Sequence, residues 1–212
     1  MSQYLSKKEL VKEIVKCGKD PVYFIDNYCK ISHPTKGQIP FKTWDFQQDL
    51  LYKFNDFRNN VILKSRQMGI STISAAYVSW MMLFQRDKNI LVIATKFSTA
   101  ANLVKRSSFV LNNGSEIKAS STSADAGRSE ALSLLVIDEA AHIEGFDELW
   151  TALQPTMAAG GRCIALSSPN GVGNWFHKTF VAAEVGENDF HPTTLHWSLH
   201  PERGIEWFEE TT

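Results

Sequence analysis

Lys64-Ser65-Arg66-Gln67-Met68-Gly69-Ile70-Ser71-Thr72 decides the fold of this 212-residue chain. An apolar run, Val61-Ile62-Leu63, precedes it, and a helix-like segment, Ile73 to Phe84, follows it. Strand, polar loop with a glycine, paired hydroxyls and helix make the layout of a phosphate-binding loop. Such a loop works because backbone N–H groups and a helix N-terminus converge on an anion. A hydroxyl at the helix start then ligates Mg²⁺. Gly69, Ser71 and Thr72 fit those parts. Two positions depart from the usual G-x-x-x-x-G-K-S/T: Lys64 stands at the first glycine and Ile70 at the lysine. Isoleucine cannot neutralise a phosphate, so the cation must come from elsewhere, and Lys64 and Arg66 are in the loop itself. Taken alone, the stretch reads equally well as a polar turn.

Leu134-Leu135-Val136-Ile137-Asp138-Glu139 is the second strong feature. Four apolar residues run directly into two carboxylates. A buried strand ending in Asp places that carboxylate at the C-terminal edge of the sheet, where α/β sheets bind ligands. Asp138 there suits Mg²⁺ and Glu139 suits an attacking water. The plain alternative is a strand that ends in a charged turn. The joint pattern, a phosphate loop followed by a βα unit and then this strand, is more specific than either half.

The remaining segments supply the frame. Ser6-Lys7-Lys8-Glu9 has capping-box spacing ahead of an amphipathic pattern, Leu10, Val11, Ile14 and Val15. A short helix is expected over Pro21 to Cys29 and a loop over Ile31 to Pro40, with its prolines and glycine. From Phe41 to about Phe57, aromatics and polar groups lead into a helix. It reads as a core helix packing Trp44, Phe46 and Leu50, or as a base site with Phe46 for the ring and Gln47 for its polar edge. Asn89 to Ala94 is a buried strand, Thr95 to Val104 a polar helix, and Ser108 to Lys118 a hairpin about Asn113-Gly114. Ser120 to Glu130 reads as a mobile loop carrying one cation, Arg128, either solvated or acting as a charge-stabilising finger. A helix over Phe146 to Met157 and a strand over Arg162 to Leu166 follow. That strand ends in Ser167-Ser168-Pro169-Asn170-Gly171, a turn sequence whose two hydroxyls can also reach a water or γ-phosphate beside Asp138. A helix over Asn174 to Val185 and a strand over Phe190 to Trp197 complete the core. His191, His196 and His200 match no familiar zinc spacing.

A net charge of −1 excludes a bulk-basic nucleic-acid binder and leaves room for a local basic patch. Cys17, Cys29 and Cys163 form no C-x-x-C pair and read as reduced thiols of a cytosol-like compartment. No apolar run approaches the ~18 residues a membrane span needs.

Together these motifs resemble the ATPase domain of the large terminase subunit of tailed bacteriophages, most closely its T4-like group. The resemblance covers about Phe41 to Trp197. Trp44-Asp-Phe-Gln-Gln-Asp-Leu-Leu51 is similar to the family's adenine-recognition motif, with Phe46 and Gln47 at the base. Lys64 to Thr72 resembles its deviant Walker A, which makes Lys64, Ser65, Arg66, Gln67, Met68, Gly69, Ile70, Ser71 and Thr72 the nucleotide loop. Leu134 to Ala141 resembles Walker B, with Asp138 and Ser71 as metal ligands and Glu139 as catalytic glutamate. Ser167 to Gly171 resembles the coupling motif, which gives Ser167 and Ser168 a part in the cycle. Arg66 matches the arginine assigned to phosphate sensing, and Arg128 one that reaches a neighbouring subunit's ATP.

The resemblance implies an α/β P-loop NTPase, a three-layer sandwich on a mostly parallel sheet, of the type with an additional strand between the Walker strands. It implies an N-terminal helical lead-in and lid part over residues 1–40, an ATPase core over 41–200, and over 201–212 the start of a linker toward a nuclease domain that this chain lacks. It implies ATP and Mg²⁺ as cofactors. Its implied partners are double-stranded DNA, the portal protein, the small terminase subunit and a homo-oligomeric ring, commonly a pentamer, working on the procapsid in the host cytoplasm. Three departures stand out: Ile70, for which Lys64 substitutes; a short connection, Val104 to Phe109; and the missing nuclease domain. Two rival readings remain, a nucleotide-binding module with a decayed loop and a helicase-like motor fragment.

Overall fold

The computed structural model describes residues 6–33, 35–95, 108–120 and 131–211. The predicted polar helix after Thr95, from residue 96 on, and the loop at 121–130 with Arg128 lie outside the described residues.

The chain opens with α1 (Lys7–Lys19), begun by the expected capping box: the Ser6 hydroxyl accepts from the Glu9 N–H while Glu9 accepts from the Ser6 N–H. Its apolar stripe, Leu10, Val11, Ile14 and Val15, is half exposed. The helix is tied to the rest at its C-terminal end, where the Cys17 carbonyl accepts from the Trp80 indole at 2.8 Å. α2 (Pro21–Tyr28) starts at an Asp20 cap with Pro21 in its first turn. The expected loop over Ile31 to Pro40 is instead a hairpin, β1 (Lys30–His33) against β2 (Gly37–Pro40), with Ile31 opposite Ile39. The turn is made by Gly37 at φ 69°, a left-handed conformation that glycine adopts without strain.

The core elements follow as α3 (Asp45–Asp56), β3 (Asn59–Lys64), α4 (Ile70–Phe84), β4 (Asn89–Ala94), β5 (Ser108–Val110), β6 (Glu116–Ser120), β7 (Leu134–Asp138), α5 (Phe146–Leu153), β8 (Arg162–Ser167), α6 (Trp175–Glu184), β9 (Phe190–Leu195) and α7 (Ile205–Thr211). α5 is shorter than expected. Pro155 has no N–H to continue the ladder, so the last turn tightens to a 3₁₀ turn, Gln154–Met157. In α3 the buried face is Gln47, Leu50, Leu51 and Phe54; Phe46 is half-buried and packs against the same core, and half-buried Trp44 lies against Phe46.

Seven strands form one sheet in the order β5-β6-β4-β7-β8-β3-β9, parallel except for the β5–β6 hairpin at one edge. Strand side chains alternate between two apolar layers, as period 2 demands. Ile62, Ile90, Val92, Val136 and Leu166 pack with α2, α3 and α4. Val61, Leu91, Ile93, Ile137 and Ala165 pack with α5 and α6. The result is three layers, α/β/α, and burying each of these Val, Leu and Ile side chains stabilises it by ~1.5–3 kcal/mol. β8 lies between β3 and β7, which is the additional-strand arrangement of a P-loop NTPase. Lys64, Asp138 and Ser167 are therefore the C-terminal residues of three adjacent parallel strands.

Candidate active site

At that edge the Lys64 ammonium lies 2.6 Å from Glu139 Oε1, with side-chain exposures of 7% and 33%. The second carboxylate oxygen accepts from the Ser168 N–H at 3.0 Å, the Ser168 hydroxyl at 3.0 Å and the Ser167 hydroxyl at 3.3 Å. Glu139 itself sits at φ 52°, ψ 47°, a left-handed conformation that costs a non-glycine residue ~1–3 kcal/mol and gathers at functional sites. Burial works against the charge on Glu139, but the Lys64 ammonium and the Ser168 donors overcome it and hold the carboxyl below its ordinary range.

Asp138 is buried, and its two oxygens lie 3.1 and 3.0 Å from the Ser71 hydroxyl. Burial pushes its carboxyl up, against the opposing effects of Ser71 and Lys64. A buried carboxylate short of positive charge beside a hydroxyl is a hard-oxygen pair, and it fits Mg²⁺, which keeps waters and substrate phosphate as its other ligands. Ser71 and Asp138 are the residues that would hold it.

The loop between β3 and α4 needs its glycine. Gly69 lies at φ 72°, and a Cβ there would meet the Gln47 amide nitrogen at 2.8 Å. Gln67 is also left-handed, at φ 59°. Three consecutive carbonyls are held from outside the loop. Arg203 donates to Arg66 O at 2.9 Å and to Gln67 O at 3.4 Å, and Gln47 Nε2 donates to Met68 O at 3.1 Å. Met68 and Ile70 point their side chains into the core, each 1% exposed. They can offer an anion only backbone N–H groups, and Ile70 cannot stand in for a cation. Ser65 is half-buried; Arg66 and Thr72 are exposed.

Of the predicted base contacts, Phe46 borders an open hollow of about 520 Å³ with Trp44, Leu199 and Pro201. Gln47 is buried beneath the loop, its carbonyl accepting from Trp44 N–H at 3.2 Å and its amide spent on Met68. His191, His196 and His200 do not converge: His191 stacks on Phe57, His200 meets the Trp44 ring, and His196 accepts at the Ser198 N–H. Among the described residues no group of three His, Cys, Asp or Glu side chains forms a metal cluster. All three cysteines are free thiols, and no helix among the described residues is long and apolar enough to cross a membrane.

The sequence reading missed three residues of this region. His142 Nε2 lies 3.1 Å from the Ser168 hydroxyl, Asn170 donates to the Ala141 carbonyl at 3.0 Å, and Arg203 clamps the loop. His142 was findable, since it stands three residues past Glu139 on one turn. Arg203 was not, because 137 residues separate it from the carbonyl it holds.

No family model matches the chain. Solved structures do. The large terminase ATPase domain of Thermus phage P74-26 is 20% identical, with a TM-score of 0.64 over 80% of this chain and 87% of that one. The fold is shared with large terminase ATPase domains. The HK97 bacteriophage large terminase matches at 16% identity and a TM-score of 0.66, over 91% of this chain and 46% of its own. The large terminase of a thermophilic bacteriophage, solved in complex with ADP, matches at 14% identity and a TM-score of 0.62, over 79% of this chain and 48% of its own. The chain thus spans most of an isolated ATPase domain and about half of the longer terminases. The terminase matches come from several phages and do not single out the T4-like group.

Proposed function

We propose that this chain is the ATPase of a viral DNA-packaging motor, hydrolysing ATP with Mg²⁺ to drive double-stranded DNA into a procapsid. The observation that carries the reading is the meeting of Lys64, Glu139 and Ser168 at one sheet edge, with Ser71 on Asp138 beside them. A glutamate, a cation, hydroxyl donors and a hard-oxygen pair form the set that phosphoryl transfer to water requires. The large terminase of the thermophilic bacteriophage, also solved with ATP-gamma-S, is a nucleotide-bound neighbour of the same fold.

ATP enters with its phosphates on the loop from Lys64 to Thr72 and its base beside Phe46, with Gln47 supporting the loop below. Lys64 leaves Glu139 for the phosphate oxygens, and Arg66 adds its charge from the solvent side. Ser71 and Asp138 would hold Mg²⁺, which would neutralise phosphate charge. Glu139, released from Lys64, orients a water in line with the γ-phosphorus. The new P–O bond forms as the bond to the β-phosphate oxygen breaks, and the water's proton passes to Glu139 or to phosphate. Ser167 and Ser168 follow Glu139 between its two engagements and carry the change into β8. Arg128 completes the site of a neighbouring copy in a homo-oligomeric, commonly pentameric, ring. The portal protein and the small terminase subunit complete the motor, in the host cytoplasm. An isolated chain is slow on this reading, because a missing arginine finger costs about 10³–10⁵ in rate.

The test is Mg²⁺-dependent ATP hydrolysis by the wild-type chain and by Glu139→Ala across protein concentrations. Turnover that needs Glu139 and rises per chain with concentration supports both the ATPase and the finger in trans. Turnover that needs Glu139 but stays flat removes the trans role of Arg128. Absence of both hydrolysis and nucleotide binding overturns the reading.

A further inference from the structure

We propose that His142 is a positioning residue of the hydrolytic site, acting through the Ser168 hydroxyl on Glu139; the inference rests on the ATPase reading of the same site. The Ser168 oxygen lies between the two groups, 3.0 Å from Glu139 Oε2 and 3.1 Å from His142 Nε2. His142 Nε2 is itself 3.8 Å from the carboxylate, an ion-pair contact only for a charged ring and beyond hydrogen-bond distance, so the neutral imidazole acts through the serine.

A serine hydroxyl has one proton to give and two lone pairs to offer. Were it to donate to a bare imidazole nitrogen, its lone pairs would face a carboxylate, and two acceptors would meet at 3.0 Å. Glu139 therefore selects the arrangement in which His142 Nε2–H donates to Ser168 and Ser168 donates to Glu139. The imidazole decides where the hydroxyl proton points, and the hydroxyl decides how firmly Oε2 is held.

The surrounding turn is built to keep this geometry. His142 ends the 3₁₀ turn Ala140–His142, and its N–H bonds the Glu139 carbonyl at 2.9 Å. The Ala141 N–H donates to the Ser167 hydroxyl at 3.1 Å, and the Ala141 carbonyl accepts from Asn170. The turn after β7 and the loop after β8 are thus laced together through both backbone groups of Ala141, next to the histidine. When Lys64 leaves Glu139, the chain from His142 through the Ser168 hydroxyl acts with the Ser168 N–H and the Ser167 hydroxyl to keep the carboxylate from swinging freely. The hydrogen-bond and ion-pair contacts of the imidazole among the described residues are to Ser168 and Glu139, so its loss should alter turnover and spare binding.

The experiment compares His142→Ala, His142→Gln, Ser168→Ala and the His142→Ala/Ser168→Ala double variant in the whole chain. It reads kcat for ATP and, by calorimetry, Kd for ADP. Loss of one orienting hydrogen bond predicts that His142→Ala lowers kcat about five- to ten-fold with Kd for ADP unchanged. His142→Gln, whose amide N–H can donate to Ser168, should recover most of the loss. The double variant should be no slower than Ser168→Ala, because histidine acting through serine has nothing left to act on. A His142→Ala kcat equal to wild type, a Kd that moves in step with kcat, or losses that add in the double variant would each overturn the inference while leaving the ATPase standing. A wild type without Glu139-dependent hydrolysis would overturn both.

Discussion

Glu139→Gln tests the centre of the site because it removes one charge and keeps the shape. In the structure that charge is bonded to Lys64 at 2.6 Å, and the ammonium is only 7% exposed while the carboxylate is 33% exposed. Exposed ion pairs contribute ~0–1 kcal/mol. Removing one partner of a fully buried pair costs ~3–5 kcal/mol, because the other charge is left without compensation. Lys64 is nearly in the second case and Glu139 nearer the first, so the substitution should cost about 1–3 kcal/mol at pH 7. The folded carboxyl lies below its ordinary range, so its contribution is present above the unfolded value of ~4.3 and lost as pH falls through the folded value. Denaturant melts of wild type and variant should therefore differ at pH 7 and converge as pH falls below ~4.3 and through the lower folded value. Lys64 also becomes easier to move, and Kd for ADP should tighten about two- to five-fold if the ammonium must leave Glu139 to reach phosphate. Turnover should fall by ~10²–10⁴, the usual range for losing a positioned base. A variant that melts with wild type at every pH and binds ADP no more tightly would refute the claim that Lys64 is held by Glu139 before nucleotide arrives.

Gln47→Ala should cost ~1–3 kcal/mol in urea melts, since it strips a partner from the Met68 carbonyl under the loop; unchanged stability with altered ATP-over-GTP preference would instead make Gln47 a base contact. Asp138→Asn should raise Tm in EDTA at neutral pH while abolishing Mg²⁺-dependent turnover. Burial raises the Asp138 carboxyl, so its contribution is lost as pH rises through the folded value, and the advantage of Asn should shrink on acidification. A lower Tm for Asp138→Asn at pH 7 would contradict this.

The strands were legible because each is a run of apolar residues long enough to be buried on both faces, as β3, β4, β7 and β8 are, and such runs have few alternatives. The site was legible for a related reason: in a parallel sheet the residue after each run falls at one edge. Lys64, Asp138 and Ser167 could be placed together before any geometry was known. What escaped was contact between segments distant in sequence. Nothing in Gln47 announces that its amide is spent on Met68, and nothing in Arg203 announces the Arg66 carbonyl. The hairpin at 30–40 was hidden because glycine and proline mark a turn without revealing whether strands flank it, and only the pairing of Ile31 with Ile39 settles that.

Ile70 shows why the lysine stands at the start of the loop rather than at its usual place. Its side chain is 1% exposed and lies in the apolar layer with Met68 and Ile73. An ammonium placed in that apolar layer would have to shed its water, which costs several kcal/mol even after relaxation. Lys64, by contrast, is the last residue of β3, and its chain reaches across the sheet edge to Glu139. On the proposed ATPase reading, Glu139 holds this cation until a phosphate claims it. Moving the lysine back should fail: Lys64→Ala/Ile70→Lys is expected to lose at least ~3 kcal/mol of stability and to bind ADP no better than Lys64→Ala alone. Denaturant melts and ADP calorimetry on the two variants decide it. A double variant that folds as well as Lys64→Ala and regains ADP affinity would mean that the burial of Ile70 does not forbid a cation there, and that the start of the loop holds no special position for one.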